Sequence, residues 1–187
     1  MTIKQGLIAA AILVCVSNTA FARDNGGYAG VGFGSTWTNV QNTTTGVTTN
    51  YSSSGAHIFG GYQLNQNFAV EAEYVDLGKF SGTTVAVAGT GLGVSAVGIL
   101  PVSDKFSLYG KLGIASVNST LTAAPGYVLL VPASESKVGV SFGAGAELAI
   151  APQAAIRLSL DSYAYSAGTG QLTGNVGVVG IAGIFKF

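Results

Sequence analysis

The sequence predicts an all-β fold, an eight-stranded antiparallel up-and-down transmembrane β-barrel. Three observations carry that prediction. Residues 61–78, GYQLNQNFAVEAEYVDLG, contain a tight turn at Asn65-Gln66 and a strand that alternates sharply. Phe68, Val70, Ala72 and Tyr74 share one face, while Ala69, Glu71, Glu73 and Val75 share the other, because successive strand side chains point to opposite sides. Next, the chain is oily without being helical. It is 48% hydrophobic and only 9% charged, against about 25% charged in an average soluble domain. Beyond the N-terminus no run of ~20 apolar residues occurs, so no membrane-spanning helix is expected. Finally, the predicted connections alternate between short and long, the layout of an outer-membrane barrel.

The remaining bulk numbers agree. Glycine is abundant at 28 residues and proline scarce at 4, which disfavours helices and leaves strands uninterrupted. A length of 187 residues suits one domain, and zero formal net charge argues against a nucleic-acid partner, which needs a clustered basic face.

The first 22 residues read as a signal peptide. Lys4 gives a positive start, residues 6–16 an apolar run, and Ala20-Phe21-Ala22 a small-residue cleavage site. The run is too short for a membrane anchor. Cleavage after Ala22 leaves residues 23–187 as the barrel domain. It also removes Cys15, the only cysteine, and with it any disulfide, thiolate metal site or cysteine nucleophile. A lipoprotein is disfavoured by Leu13-Val14 before that cysteine. Export with this composition points to a bacterial envelope.

The strands follow in order. Residues 27–37 set Ala29, Val31, Phe33 and Trp37 against Gly30, Gly32 and Gly34, and a Thr/Asn-rich loop covers 38–53. Residues 55–64 set Ala56, Ile58, Tyr62 and Leu64 against His57, Phe59 and Gln63. After the strand already described, a loop spans 79–88, and 89–102 alternates Leu92, Val94, Ala96 and Leu100 with small residues. A turn at 103–105 leads to 106–117, where Phe106, Leu108, Leu112 and Ile114 oppose Ser107, Tyr109, Lys111 and Gly113. The longest loop is 118–136. Strand 137–150 sets Val138, Val140, Phe142, Leu148 and Ile150 against Gly139, Ser141, Gly143, Gly145 and Glu147. A turn at 151–153 precedes 154–165, with Ile156, Leu158 and Leu160 opposite Arg157, Ser159, Asp161, Tyr163 and Tyr165. A loop at 166–173 leads to 174–187, where alternation is weakest, with Val179, Ile181, Phe185 and Phe187 on one face.

All mid-strand charges, Glu71, Glu73, Lys111, Glu147, Arg157 and Asp161, fall on the small, glycine-rich face. A soluble barrel would turn that face to water, and a water-facing surface normally carries many more charges. Small residues instead suit the interior of eight closed strands, just wide enough for side chains. Closure also removes the unpaired edges that lipid cannot satisfy. Aromatics divide into two interface belts: Tyr62, Phe68, Phe106, Phe185 and Phe187 near the short turns, and Trp37 and Tyr74 near the long loops.

The segments GYQLNQNFAVEAEYVDLG, LPVSDKFSLYGKLGIA, GAGAELAIAPQAAIRLSLDSY and the closing GIFKF resemble the OmpA-like family of outer-membrane barrels. The likeness covers nearly the whole mature chain. It implies an outer-membrane location, contact with membrane lipid, and recognition of the segment ending in Phe187 by the barrel-assembly machinery. The periplasmic peptidoglycan-binding domain that follows the barrel in OmpA has no counterpart in this sequence, so cell-wall tethering is not carried over. A monomer is expected.

The inward charges are the main candidate constellation. With the turn centred on Pro152, Glu147 and Arg157 face each other across neighbouring strands, a stabilising pairing. The six charges form either a static network filling the barrel or a gate that exchanges partners to pass small solutes. His57, the only histidine, has no sequence neighbours suggesting a triad or a metal site, so no enzyme, metal or cofactor is expected. The apolar patch Tyr127-Val128-Leu129-Leu130-Val131 in the longest loop either rests on the rim and outer leaflet or grips a protein or host surface.

Overall fold

The computed structural model describes residues 25–42, 48–81, 85–123, 134–167 and 172–187. Its eight strands are β1 (Gly26–Asn42), β2 (Thr48–Asn65), β3 (Phe68–Ser81), β4 (Val85–Pro101), β5 (Phe106–Ala123), β6 (Ser134–Ala151), β7 (Ala154–Ala167) and β8 (Leu172–Lys186). Each pairs antiparallel with its sequence neighbours, and β8 returns to β1, closing the barrel. No helix among the described residues is long and apolar enough to cross a membrane. The strands do that work instead. The shortest has 14 residues, more than the ~9–11 a tilted strand needs to traverse a bilayer.

Wall and interior divide as the alternation predicts. Phe33, Leu112 and Val138 are 69%, 64% and 65% exposed on the outer wall. Glu71 and Arg157 are only 2% and 4% exposed inside. An outer wall this apolar is stable only against hydrocarbon, so the barrel is an integral membrane structure.

Strand ends differ from the sequence expectation. The segments read as loops at 38–53, 79–88, 118–136 and 166–173 are partly strand, because pairing continues out to Gln41–Thr48, Ser81–Ala86, Thr120–Ser134 and Ala167–Leu172. Ladder hydrogen bonds need no apolar face, and Thr favours strands. The sheet therefore continues beyond the stretch in which the outer face is apolar. The first short turn sits at Gln66-Asn67, one residue later than expected. The Asn65 side-chain oxygen accepts hydrogen bonds from the backbone N–H groups of Asn67 and Phe68, which fixes that turn.

A second departure is a bulge in β3. Pairing with β4 slips between Asp76 and Gly78, and Gly78 has φ +79°. Asp76 Oδ1 accepts the Gly78 N–H at 2.9 Å. One extra residue reverses the alternation beyond it. Leu77 points inward, and then Phe80 rather than Lys79 is buried.

The interior is layered along the barrel axis. Reading the inward residues from the short-turn end, β3 and β7 begin apolar and β5 reaches Tyr109 after Ser107; each then becomes charged and turns apolar again. Ala69, Tyr109 and Ala155 join Tyr28, Phe59, Val97, Ala182 and Ile184 in one apolar cluster. Val75, Leu77, Ala115, Val117, Leu121 and Tyr163 join Val176 and Val178 in the other. The charges lie between them. At membrane depth β8 turns only Val176, Val178, Gly180, Ala182 and Ile184 inward, none of them ionisable. β1, β4 and β6 contribute mostly glycine, which makes room for large neighbours. A Cβ at Gly30 would lie 2.3 Å from the Phe59 ring, and one at Gly143 would lie 2.0 Å from Asp161 Oδ1.

Candidate functional site in the barrel interior

All six charges named from sequence converge in one buried network. Glu147 and Arg157 are register partners on β6 and β7, as the Pro152 turn predicts. Arg157 donates from Nε and Nη2 to Glu147 Oε1 at 2.9 and 2.7 Å. Its Nη1 reaches across the lumen to Glu71 Oε2 at 2.6 Å. In a ring of eight, β3 and β7 stand opposite one another, so this bond braces the barrel across its diameter.

Arg157 is also enclosed by rings. Its guanidinium carbon lies 4.5 Å from the Phe59 centroid, 4.7 Å from that of Tyr109 and 5.6 Å from that of Tyr28. A planar, weakly hydrated cation stacks on aromatic faces and holds carboxylates at its edge, a combination an ammonium cannot reproduce.

Lys111 organises the neighbouring cluster. It hydrogen-bonds Glu73, pairs with Asp161 at 3.1 Å and stands 3.8 Å from Glu71. Glu71 thus links the two cations. Tyr28 donates its hydroxyl to Glu71 at 2.9 Å, and Tyr163 donates to Glu73. Glu71 Oε1 and Asp161 Oδ1 face Lys111 without a well-aligned hydrogen bond, and among the described residues the buried Tyr109 hydroxyl has no hydrogen-bond partner. At the short-turn mouth Lys186 approaches Glu147 Oε2 to 3.7 Å.

Sequence reasoning did not identify the tyrosine donors or the Glu71–Arg157 brace. Tyr28 shares its parity with Gly30 and Gly32, so its inward direction was readable. Its partner 43 residues away was not.

The other candidates take different places. Trp37, Tyr62, Phe68, Tyr74, Phe106 and Phe185 are exposed on the outer wall. Phe187 departs from them: it is half-buried, its ring lies over Gly27, and its N–H bonds the Gly27 carbonyl. His57 is buried with its ring 5.6 Å from that of Phe59. Among the described residues no group of three or more His, Cys, Asp or Glu is arranged to hold a metal ion. Residues 127–131 and the segment 1–22 lie outside the described residues.

Solved structures share this architecture. Neisserial surface protein A aligns with TM-score 0.65 at 11% identity, over 86% of this chain and 97% of that one. Ail, the attachment invasion locus protein of Yersinia pestis, aligns at 0.56 and 18% identity, over 87% and 99%. The N-terminal β-barrel domain of Pseudomonas aeruginosa OprF gives 0.56 at 14% identity, over 87% and 98%. At these identities the likeness establishes the fold. A search of curated sequences returns no match. The closed barrel, its apolar wall and a family match over residues 7–185 agree: the chain belongs to the outer membrane protein beta-barrel domain family, an integral barrel of the bacterial outer membrane.

Proposed function

We propose that this barrel is a non-enzymatic structural component of the outer membrane whose surface loops present contacts to the outside. The observation that carries this reading is the filled lumen. A charged layer braced from β7 to β3 by Arg157 and Glu71 lies between two apolar clusters. A conduit needs a continuous wetted path, and Val75, Leu77, Val117 and Val178 occupy the long-loop half of the interior. Even if the ion pairs exchanged partners as a gate, this apolar layer would still stand in the way of small polar solutes.

The test is conductance of the purified chain in planar bilayers. No single-channel events are expected, and reproducible events would overturn the structural reading in favour of a narrow pore. Arg157→Ala and Glu147→Ala should leave the traces silent, whereas opening in either would restore the gate.

The same reading includes removal of the leader after Ala22, checked by the mass of the exported protein. It also includes a monomer in lipid whose closing segment is recognised by the barrel-assembly machinery. Deleting residues 127–131 separates the loop alternatives: loss of binding to a host surface would assign them an adhesive role.

A further inference from the structure

The short-turn mouth holds a cavity of about 550 Å³, within the ~300–1,000 Å³ range typical of small-ligand sites. Its innermost charged group is Glu147, 7% exposed. Arg157 spends two donors on Glu147 Oε1, and Oε2 is left with Lys186 at 3.7 Å, too far for a hydrogen bond. Lys186 is itself 43% exposed through its side chain. A carboxylate oxygen and an ammonium thus form a loose ion pair at the cavity wall, without a hydrogen bond between them.

The walls add a second feature. Gln63 and Gln66, at the β2–β3 turn, and Gln153, at the β6–β7 turn, line the same space. Each amide both donates and accepts, which matches a peptide group. Lys105 and Asp104 on the β4–β5 turn complete the rim, and neither has an ion-pair partner among the described residues. The acid at that rim works against a simple multivalent anion, which the lysines alone would attract.

We propose that this mouth binds a short linear peptide with free ends. Its ammonium bonds Glu147 Oε2, its carboxylate takes Lys186 and Lys105, and its amide meets the glutamines. On binding, the exposed Lys186 side chain swings away from Glu147, and one distant contact is replaced by two close ones. The site borders the ionic network through Glu147, but it is separate from the conductance question, because the apolar layer that blocks a conduit lies in the other, long-loop half of the interior.

The test titrates the isotope-labelled full chain in detergent micelles with L-alanyl-L-alanine, its N-acetyl derivative and its C-terminal amide. Backbone amide shifts are followed by NMR. Saturable shifts confined to Gln66, Ser103, Gln153 and Lys186 are expected for the free dipeptide. Each blocked form should bind at least about tenfold more weakly, a loss of ~1.4 kcal/mol. Lys186→Ala should weaken the free dipeptide but not the C-terminal amide, which has no carboxylate to lose. Unchanged amide positions at Glu71 and Leu112 verify that the variant is folded. Absent or non-saturating shifts, or equal binding of the free dipeptide and either blocked form, would overturn the proposal.

Discussion

Inside the wall, β3, β5 and β7 carry Glu71, Glu73, Lys111, Arg157 and Asp161, while β1, β4 and β6 place Gly30, Gly32, Gly91, Gly93, Gly143 and Gly145 at similar depth. One set of strands supplies most of the volume and charge, and the other, apart from Glu147 on β6, supplies the space those side chains occupy. The difference teaches that glycine here is a packing partner. The close approach of Asp161 to Gly143, and of Phe59 to Gly30, depends on the missing Cβ. It also shows why charge is confined to the middle. Only there can each ion find partners from several strands, whereas the layers above and below fill the barrel without any need for partners.

Removing the hub should break the comparison most severely. Arg157→Met removes the hydrogen-bonded cation from Glu71 and Glu147 and leaves them only Lys111 at 3.8 Å and Lys186 at 3.7 Å. Losing one partner of a buried pair costs about 3–5 kcal/mol. Guanidinium unfolding in lipid vesicles, read from the single tryptophan Trp37, measures it. Adding Glu71→Gln and Glu147→Gln should recover most of the loss, because the two carboxylates that Arg157 compensated are then uncharged, while Lys111 keeps Glu73 and Asp161. If the triple variant is no better than Arg157→Met, the rings and not the charges hold this layer.

A test of the apolar layer is next in size. Leu77→Ala empties a side chain that is 1% exposed, with a cost of about 2–4 kcal/mol and no rescue by any charge change. Gly143→Ala probes the glycine strands directly. Its new methyl meets Asp161 Oδ1 and Lys111 Cε, and overpacking of this kind costs about 1–3 kcal/mol. Gly183→Ala on the outer wall, where nothing lies within 4 Å, should be nearly neutral in the same assay. The smallest effect belongs to Lys186→Ala. A half-exposed pair at 3.7 Å is worth at most about 1 kcal/mol, so an unfolding midpoint close to that of the parent is expected.

Much of this was legible in the sequence, for identifiable reasons. Alternation fixes which way a side chain points, so Phe33, Leu112, Glu71 and Arg157 could be assigned to wall or interior residue by residue. Short turns fix local register, so the Glu147–Arg157 pairing followed from counting outward from Pro152. Contacts across the lumen follow no such rule. Glu71 and Arg157 are 86 residues apart, and their meeting depends on strand tilt and stagger around the whole ring. Strand ends were underestimated because hydrophobic patterning stops where the bilayer stops, while backbone pairing continues past it. The slip at Gly78 was hidden as well. Nothing in the pattern LGKF states that Phe80 will turn inward until the left-handed glycine and its Asp76 acceptor are seen.

The uncharged inner face of β8 has a consequence for how the ring is completed. Every ionic group of the network arrives with β3, β5, β6 or β7, and the last strand adds none at membrane depth. A nascent sheet lacking only its final segment already owns the full set of counter-ions. The closing strand therefore brings no ion of its own to be dehydrated at that depth: its inward Val176, Val178 and Ile184 are hydrocarbon-like groups, and their burial is rewarded.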